Sequence, residues 1–125
     1  MASKYTRYRM KGTTAAGGGA SVTTNHVVRG KIHSIMCNVG ALDNTADISI
    51  ASVDDDPNQT ILSLTDQAAD VTVRPKVLCT LYTGGALTAT GNIYTEFVVF
   101  SRLTLSIAQG GDSKAFTVDV YVEEY

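Results

Sequence analysis

From Ile93 to Val122 the chain reads IYTEFVVFSRLTLSI, AQGGDSK and AFTVDVYV, and this stretch restricts the fold more than any other. In its second half Phe116, Val118, Val120 and Val122 alternate with Thr117, Asp119 and Tyr121. Successive side chains of a strand point to opposite faces, so this period predicts a strand with one buried face. The first half is more continuously apolar, with Phe97, Val98, Val99 and Phe100 in a row. That pattern predicts a strand covered on both sides. Between them, Gly110-Gly111-Asp112 is turn chemistry, because glycine adopts the positive φ of a tight turn without steric cost. The two halves together predict a long C-terminal hairpin, the spine of an all-β domain. No catalytic motif lies within it.

The remainder supplies more strands and no helical stripe longer than two turns. Val27 to Val39 is a second apolar run, with Gly30 as the expected bulge or entry. Leu42-Asp43-Asn44 reads as a turn, and Thr45 to Val53 alternates with Ala46, Ile48 and Ile50 inward. The segment 54–58, with Pro57 and its carboxylates, is a loop, and Thr60 to Leu64 a short strand. TDQAAD (65–70) reads as a loop or one helical turn, Val71 to Thr83 as a strand pair or one bent strand broken near Pro75, and residues 84–92 as a Gly-bounded loop. About seven to eight antiparallel strands follow, as a β-sandwich or jelly roll, with Ile48, Ile50, Phe97, Val99, Leu105, Phe116, Val118 and Val120 in its core. At 125 residues, 44% hydrophobic and 18% charged, the chain is one globular domain with enough apolar surface for a core of its own.

The N-terminus differs from the body. Residues 1–31 hold six bases and no acid, a charge of +6; residues 32–125 hold four bases and twelve acids, a charge of −8. Residues 1–11 are rich in Tyr and Arg, with Tyr5, Arg7 and Arg9 on one side and Thr6, Tyr8 and Met10 on the other if extended. GTTAAGGGAS (12–21) is too small in its side chains to build a core. The expected division is an extended basic arm over 1–21 and a β-domain over 22–125. A basic arm beside an acidic body suits docking on an acidic neighbour, with Tyr5, Arg7, Tyr8 and Arg9 as anchors. Nucleic acid is the weaker partner for that arm, since the body would repel phosphate. MASKYTRYRMKG has no apolar core of a signal peptide, and no run of eighteen apolar residues predicts a membrane span. Cys37 and Cys79 then read as buried free thiols in place of a disulfide.

Candidate chemistry is sparse. Asp54, Asp56 and Asn58 stand at the first three positions of a calcium loop, but Gln59 replaces the turn glycine and Thr65 the bidentate Glu. A solvated acidic turn is the expected reading. His26, His33, Cys37 and Cys79 could count as four zinc ligands, yet no paired spacing supports this, and core cysteines with exposed histidines are expected instead. Gly17-Gly18-Gly19 lacks the Lys-Ser/Thr of a phosphate loop, and no G-x-S-x-G occurs. No cofactor or metal is expected, nor an enzyme.

The segments GKIHSIMCNVGALDNTADISIAS (30–52), DPNQTILSL (56–64), VRPKV (73–77) and NIYTEFVVFSRLTLSIAQGGDSKAFTVDVYVEE (92–124) resemble small β-sandwich virion proteins of tailed bacteriophages, in the style of head decoration (cement) proteins. The likeness spans residues 27–125 and rests on strand order, turn placement and low charge. It implies a non-enzymatic protein of the virion, made in the host cytoplasm and bound at the capsid surface. Its partners would be the major capsid protein or other virion subunits, and it would form a homo-oligomer, a dimer or trimer. A tail or neck subunit is the nearest alternative. A ligand-binding β-module, such as a carbohydrate-binding domain, is the alternative from another class, which the absence of Trp and the presence, beyond the arm and the C-terminus, of only Tyr82 and Tyr94 as platforms disfavour.

Overall fold

The computed structural model describes residues 4–55, 57–67, 69–78 and 94–124. These residues form eleven strands and no helix: β1 (Lys4–Thr13), β2 (Ala20–Thr23), β3 (Val28–Asn38), β4 (Asp47–Ser52), β5 (Thr60–Leu64), β6 (Val71–Val73), β7 (Lys76–Leu78), β8 (Tyr94–Glu96), β9 (Val98–Ser101), β10 (Leu103–Ala108) and β11 (Ala115–Glu124). The protein is all-β, as expected, but with more and shorter strands than the seven or eight read from sequence. The larger sheet has the order β1-β11-β3-β6, with β9 also paired to β3; a second sheet runs β2-β10-β4-β5; β7 and β8 form a separate two-stranded ribbon. Every pairing is antiparallel. No helix among the described residues is long and apolar enough to cross a membrane.

The inward faces of both large sheets contribute to one apolar cluster. Val118, Val120 and Val122 on β11 join Ile32, Ile35 and Cys37 on β3, and Ile48, Ile50, Leu103 and Leu105 on the smaller sheet. Of the expected core residues, Phe97 is only half-buried; the other seven are buried. Each such aliphatic side chain contributes roughly 1.5–3 kcal/mol when withdrawn from water. Pleating alone would send the inward run of β3 outward after Ile32. A bulge at His33, opposite Tyr121 and Val122, resets the alternation so that Ile35 and Cys37 also face the core. The bulge therefore falls at His33 and not at Gly30.

Two expectations fail for reasons outside local pattern. The halves of the 93–122 stretch do not pair as a hairpin. β10 lies between β2 and β4, whereas β11 lies between β1 and β3. The connecting turn crosses from one sheet to the other. It is fastened to distant loops by Gly110 N–H donating to Gly18 O (2.9 Å), Asp43 N–H to Gly110 O (3.0 Å) and Lys114 N–H to Thr14 Oγ1 (2.9 Å). Nor do residues 4–13 leave the body as an arm. They are β1, registered with β11 from Lys4↔Glu124 to Thr13↔Ala115, and Met10 is 1% exposed within the common core.

Candidate functional site

β1 fixes where the four expected anchors go. By alternation Tyr5, Arg7 and Arg9 share the outer face of the larger sheet, and Tyr8 turns towards the core side. Arg9 forms a two-pronged ion pair with Asp119 (Nε–Oδ1 2.9 Å, Nη2–Oδ2 3.1 Å). Tyr8 is half-buried and donates to Glu124 Oε1 at 2.5 Å; burial, then this hydrogen bond, push its phenol up to about 12. Both are thus committed within the chain. Tyr5 is 59% exposed, donates to Glu123 at 3.3 Å and stands edge-on to His33, with ring centroids 5.7 Å apart. Arg7 is exposed, and among the described residues it has no ion-pair partner.

Around Tyr5 lies a surface that the sequence did not announce. One row crosses four strands, Tyr5 opposite Glu123, Glu123 opposite Lys31, and Lys31 opposite Val98. In the next row Arg29 faces Phe100, its guanidinium carbon 5.7 Å from the ring centroid. Phe100 is 67% and Val98 54% exposed, so β9 is not covered on both sides. Its buried positions are Val99 and Ser101. Polarity is inverted at the last pair, the hydroxyl inside and the phenyl ring outside.

Ser101 tolerates burial because its hydroxyl is saturated. Oγ accepts from Val53 N–H (3.1 Å) and Asp54 N–H (2.9 Å) and donates to Arg102 O (2.7 Å). This knot holds the corner where the chain leaves β9 for β10 in the other sheet. An exposed aromatic and Arg cluster is the composition enriched where proteins bind proteins.

The metal candidates are placed otherwise than a ligand set requires. Both Asp54 oxygens meet Arg102: Oδ1 takes Nη2 at 2.8 Å, and Oδ2 takes Nε at 3.2 Å and the backbone N–H at 3.0 Å. Asn58 can place its amide nitrogen 3.2 Å from the carbonyls of Ser52 and Val53. Asp56 lies outside the described residues, as do Cys79 and Tyr82. The bulge separates His33, exposed, from Cys37, which is buried and a free thiol. Burial, aided by Asp70, pushes that thiol up to about 11, where it is a poor nucleophile and ligand at neutral pH. Among the described residues no three His, Cys, Asp or Glu side chains converge.

The Arg102 hydrogen bonds, side chain first and then backbone, hold the Asp54 carboxyl down at about 2 from 3.8. The folded chain prefers the ionised form, so this contribution is complete above the unfolded pKa and fades as pH falls from about 4 towards 2. Melting temperature against pH should therefore drop more steeply across that window in the native chain than in Arg102→Met. Superimposable acid limbs would contradict this role for the pair.

Comparison with protein-family profiles, curated proteins and solved structures returned no match.

Proposed function

We propose that this chain is a structural subunit of a virion, a jelly-roll protein of the capsid-decoration type that docks through the outer face of its larger sheet. The observation that carries the reading is the Phe100 patch. A phenyl ring two-thirds exposed, capped by Arg29 and flanked by Val98, stands on a strand whose serine is buried in its place. Exposing that much apolar area costs solubility unless a partner covers it.

The strand orders support the architectural part. In a jelly roll each sheet mixes early and late strands, because two hairpin-like halves are folded over together. The orders β1-β11-β3-β6 and β2-β10-β4-β5 have this interleaving, with β6 and β9 sharing one position beside β3 and the β7–β8 ribbon as an excursion. Jelly rolls occur in viral capsid proteins, lectins and cupins, so the architecture supports the virion reading only as fold-level analogy. A tail or neck subunit would use the same patch on a different neighbour.

The test is co-sedimentation with particles that lack this protein. The native chain should bind saturably at repeated sites, and Phe100→Asp, a change on an exposed position, should keep the melting temperature and weaken binding about thirtyfold or more, the loss of one aromatic hot spot of roughly 2 kcal/mol. Binding unaffected by Phe100→Asp, or none by the native chain, would sink the proposal.

A further inference from the structure

Next to the aromatic patch, on the same outer face, lies a groove of about 600 Å³. Its floor is the middle of β11 and β3, where Thr117 pairs with Asn38 and Asp119 with Met36. Arg9 on β1 borders one side; β6 and Asp70 border the other. The volume is that of a small-ligand site, and the polar groups stand on paired strands, so they are held in place before any ligand arrives.

The charges of the groove narrow what it can take. Arg9 is neutralised by Asp119, and Asp70 adds a net negative charge, so a phosphate or other anion finds no attraction. A divalent cation is equally ill-served. Asp119 is taken by Arg9, and Asp70 Oδ1 accepts from the N–H groups of Val39 and Gly40, both at 2.9 Å. An added peptide strand needs an open sheet edge, and this is a sheet face.

What is left is hydrogen-bonding capacity beside apolar surface. The side chains of Asn38, Thr117 and Tyr121 form no hydrogen bond with a described residue. Tyr121 is half-buried beside Met36, which is 47% exposed. Amide and hydroxyl groups both donate to and accept from neighbouring hydroxyls, a carboxylate accepts from them, and an aromatic ring covers an apolar C–H face. A molecule that carries vicinal hydroxyls on one side, C–H groups on the other and no charge matches all of this. We infer that the groove is a binding site for a neutral saccharide, with Asn38, Thr117, Asp70 and the Tyr121 hydroxyl as the polar contacts and the Tyr121 ring as the platform.

The inference is independent of the virion reading and is tested without particles. The ¹⁵N-labelled full chain is titrated with neutral tetrasaccharides of glucose, galactose, mannose and N-acetylglucosamine, and in parallel with sialyllactose and inorganic phosphate. At least one neutral sugar should shift amides confined to residues 36–38, 70–72 and 117–121. Asn38→Ala, at an exposed position, and Tyr121→Phe should each preserve the rest of the spectrum and weaken that binding about tenfold, the loss of one well-made contact. No shift with any neutral sugar at about 10 mM, where even millimolar affinity registers, would overturn the assignment. So would shifts elsewhere, a preference for phosphate or sialyllactose, or undiminished affinity in both variants.

Discussion

Deletion of residues 2–19 is expected to abolish folding. The segment includes all of β1, and β1 supplies hydrogen bonds along the whole length of β11, from Thr13↔Ala115 to Lys4↔Glu124. Its loss also removes Met10, among the largest fully buried side chains, and uncovers Val118 and Val120 beside it. Met10 alone is worth about 2–5 kcal/mol by truncation. Thr14, 3% exposed, takes a further anchor with it, because its hydroxyl donates to Gly111 O (2.5 Å) and accepts from Lys114 N–H (2.9 Å). Together these approach the whole of a domain's stability, on the order of 5–15 kcal/mol. Circular dichroism and a thermal melt of the truncated chain decide the matter. A cooperative transition at the native temperature would show that the segment is the independent arm its composition suggested.

Gly30→Ala should be nearly as damaging although it adds only a methyl group. Gly30 has φ +140°, a conformation L-residues rarely adopt, and a Cβ there would lie 2.2 Å from the Glu123 carbonyl oxygen and 2.9 Å from its carbon. Those atoms belong to the backbone of β11, so nothing can rotate aside; β3 and β11 would have to part. A cost of at least about 3 kcal/mol is expected from the strain and the clash together, or a fall in Tm of roughly 10 °C. Gly17→Ala is the internal control, since nothing lies within 4 Å of the added atom. If both variants melt alike, the close approach at Gly30 has been misread.

What the sequence disclosed was whatever repeats at short range. The alternation from Phe116 to Val122 and that from Ala46 to Ile50 identified buried faces, because each residue's exposure follows from its neighbours two positions away. β1 escaped because its role is set by a partner about 110 residues distant. Arg7, Arg9 and Lys11 point outward, Tyr8 and Met10 are the large apolar-bodied side chains of its inward face, and the charge of Arg9 is matched by Asp119. Summing charge over residues 1–31 hid that pairing. The Gly110-Gly111 turn was visible as a turn, but its direction depends on Thr14, Gly18 and Asp43.

The patch was illegible for a related reason. In VVFS the pattern of polarity assigns Phe100 inward and Ser101 outward, and only the triple hydrogen bonding of Ser101 reverses them. Tyr121 was visible as an outward residue of β11. That it stands beside Asn38 and Met36 required the register of β3.

The pairing of Lys4 with Glu124 also governs how the chain reaches its native state. The first and last strands described here form one ladder, so the separation between contacting residues is close to the largest this sequence allows. Folding rates fall as that separation grows, because a loop must close before its contacts reward it, and antiparallel β-domains of high contact order fold in milliseconds to seconds. During synthesis β3 to β10 can emerge and begin to collapse, yet β1 must wait for β11. At 5–20 residues per second the wait lasts several seconds or longer. Through that interval the inner edge of β3 and the apolar side of β1 stand open together, and β11 closes both at once.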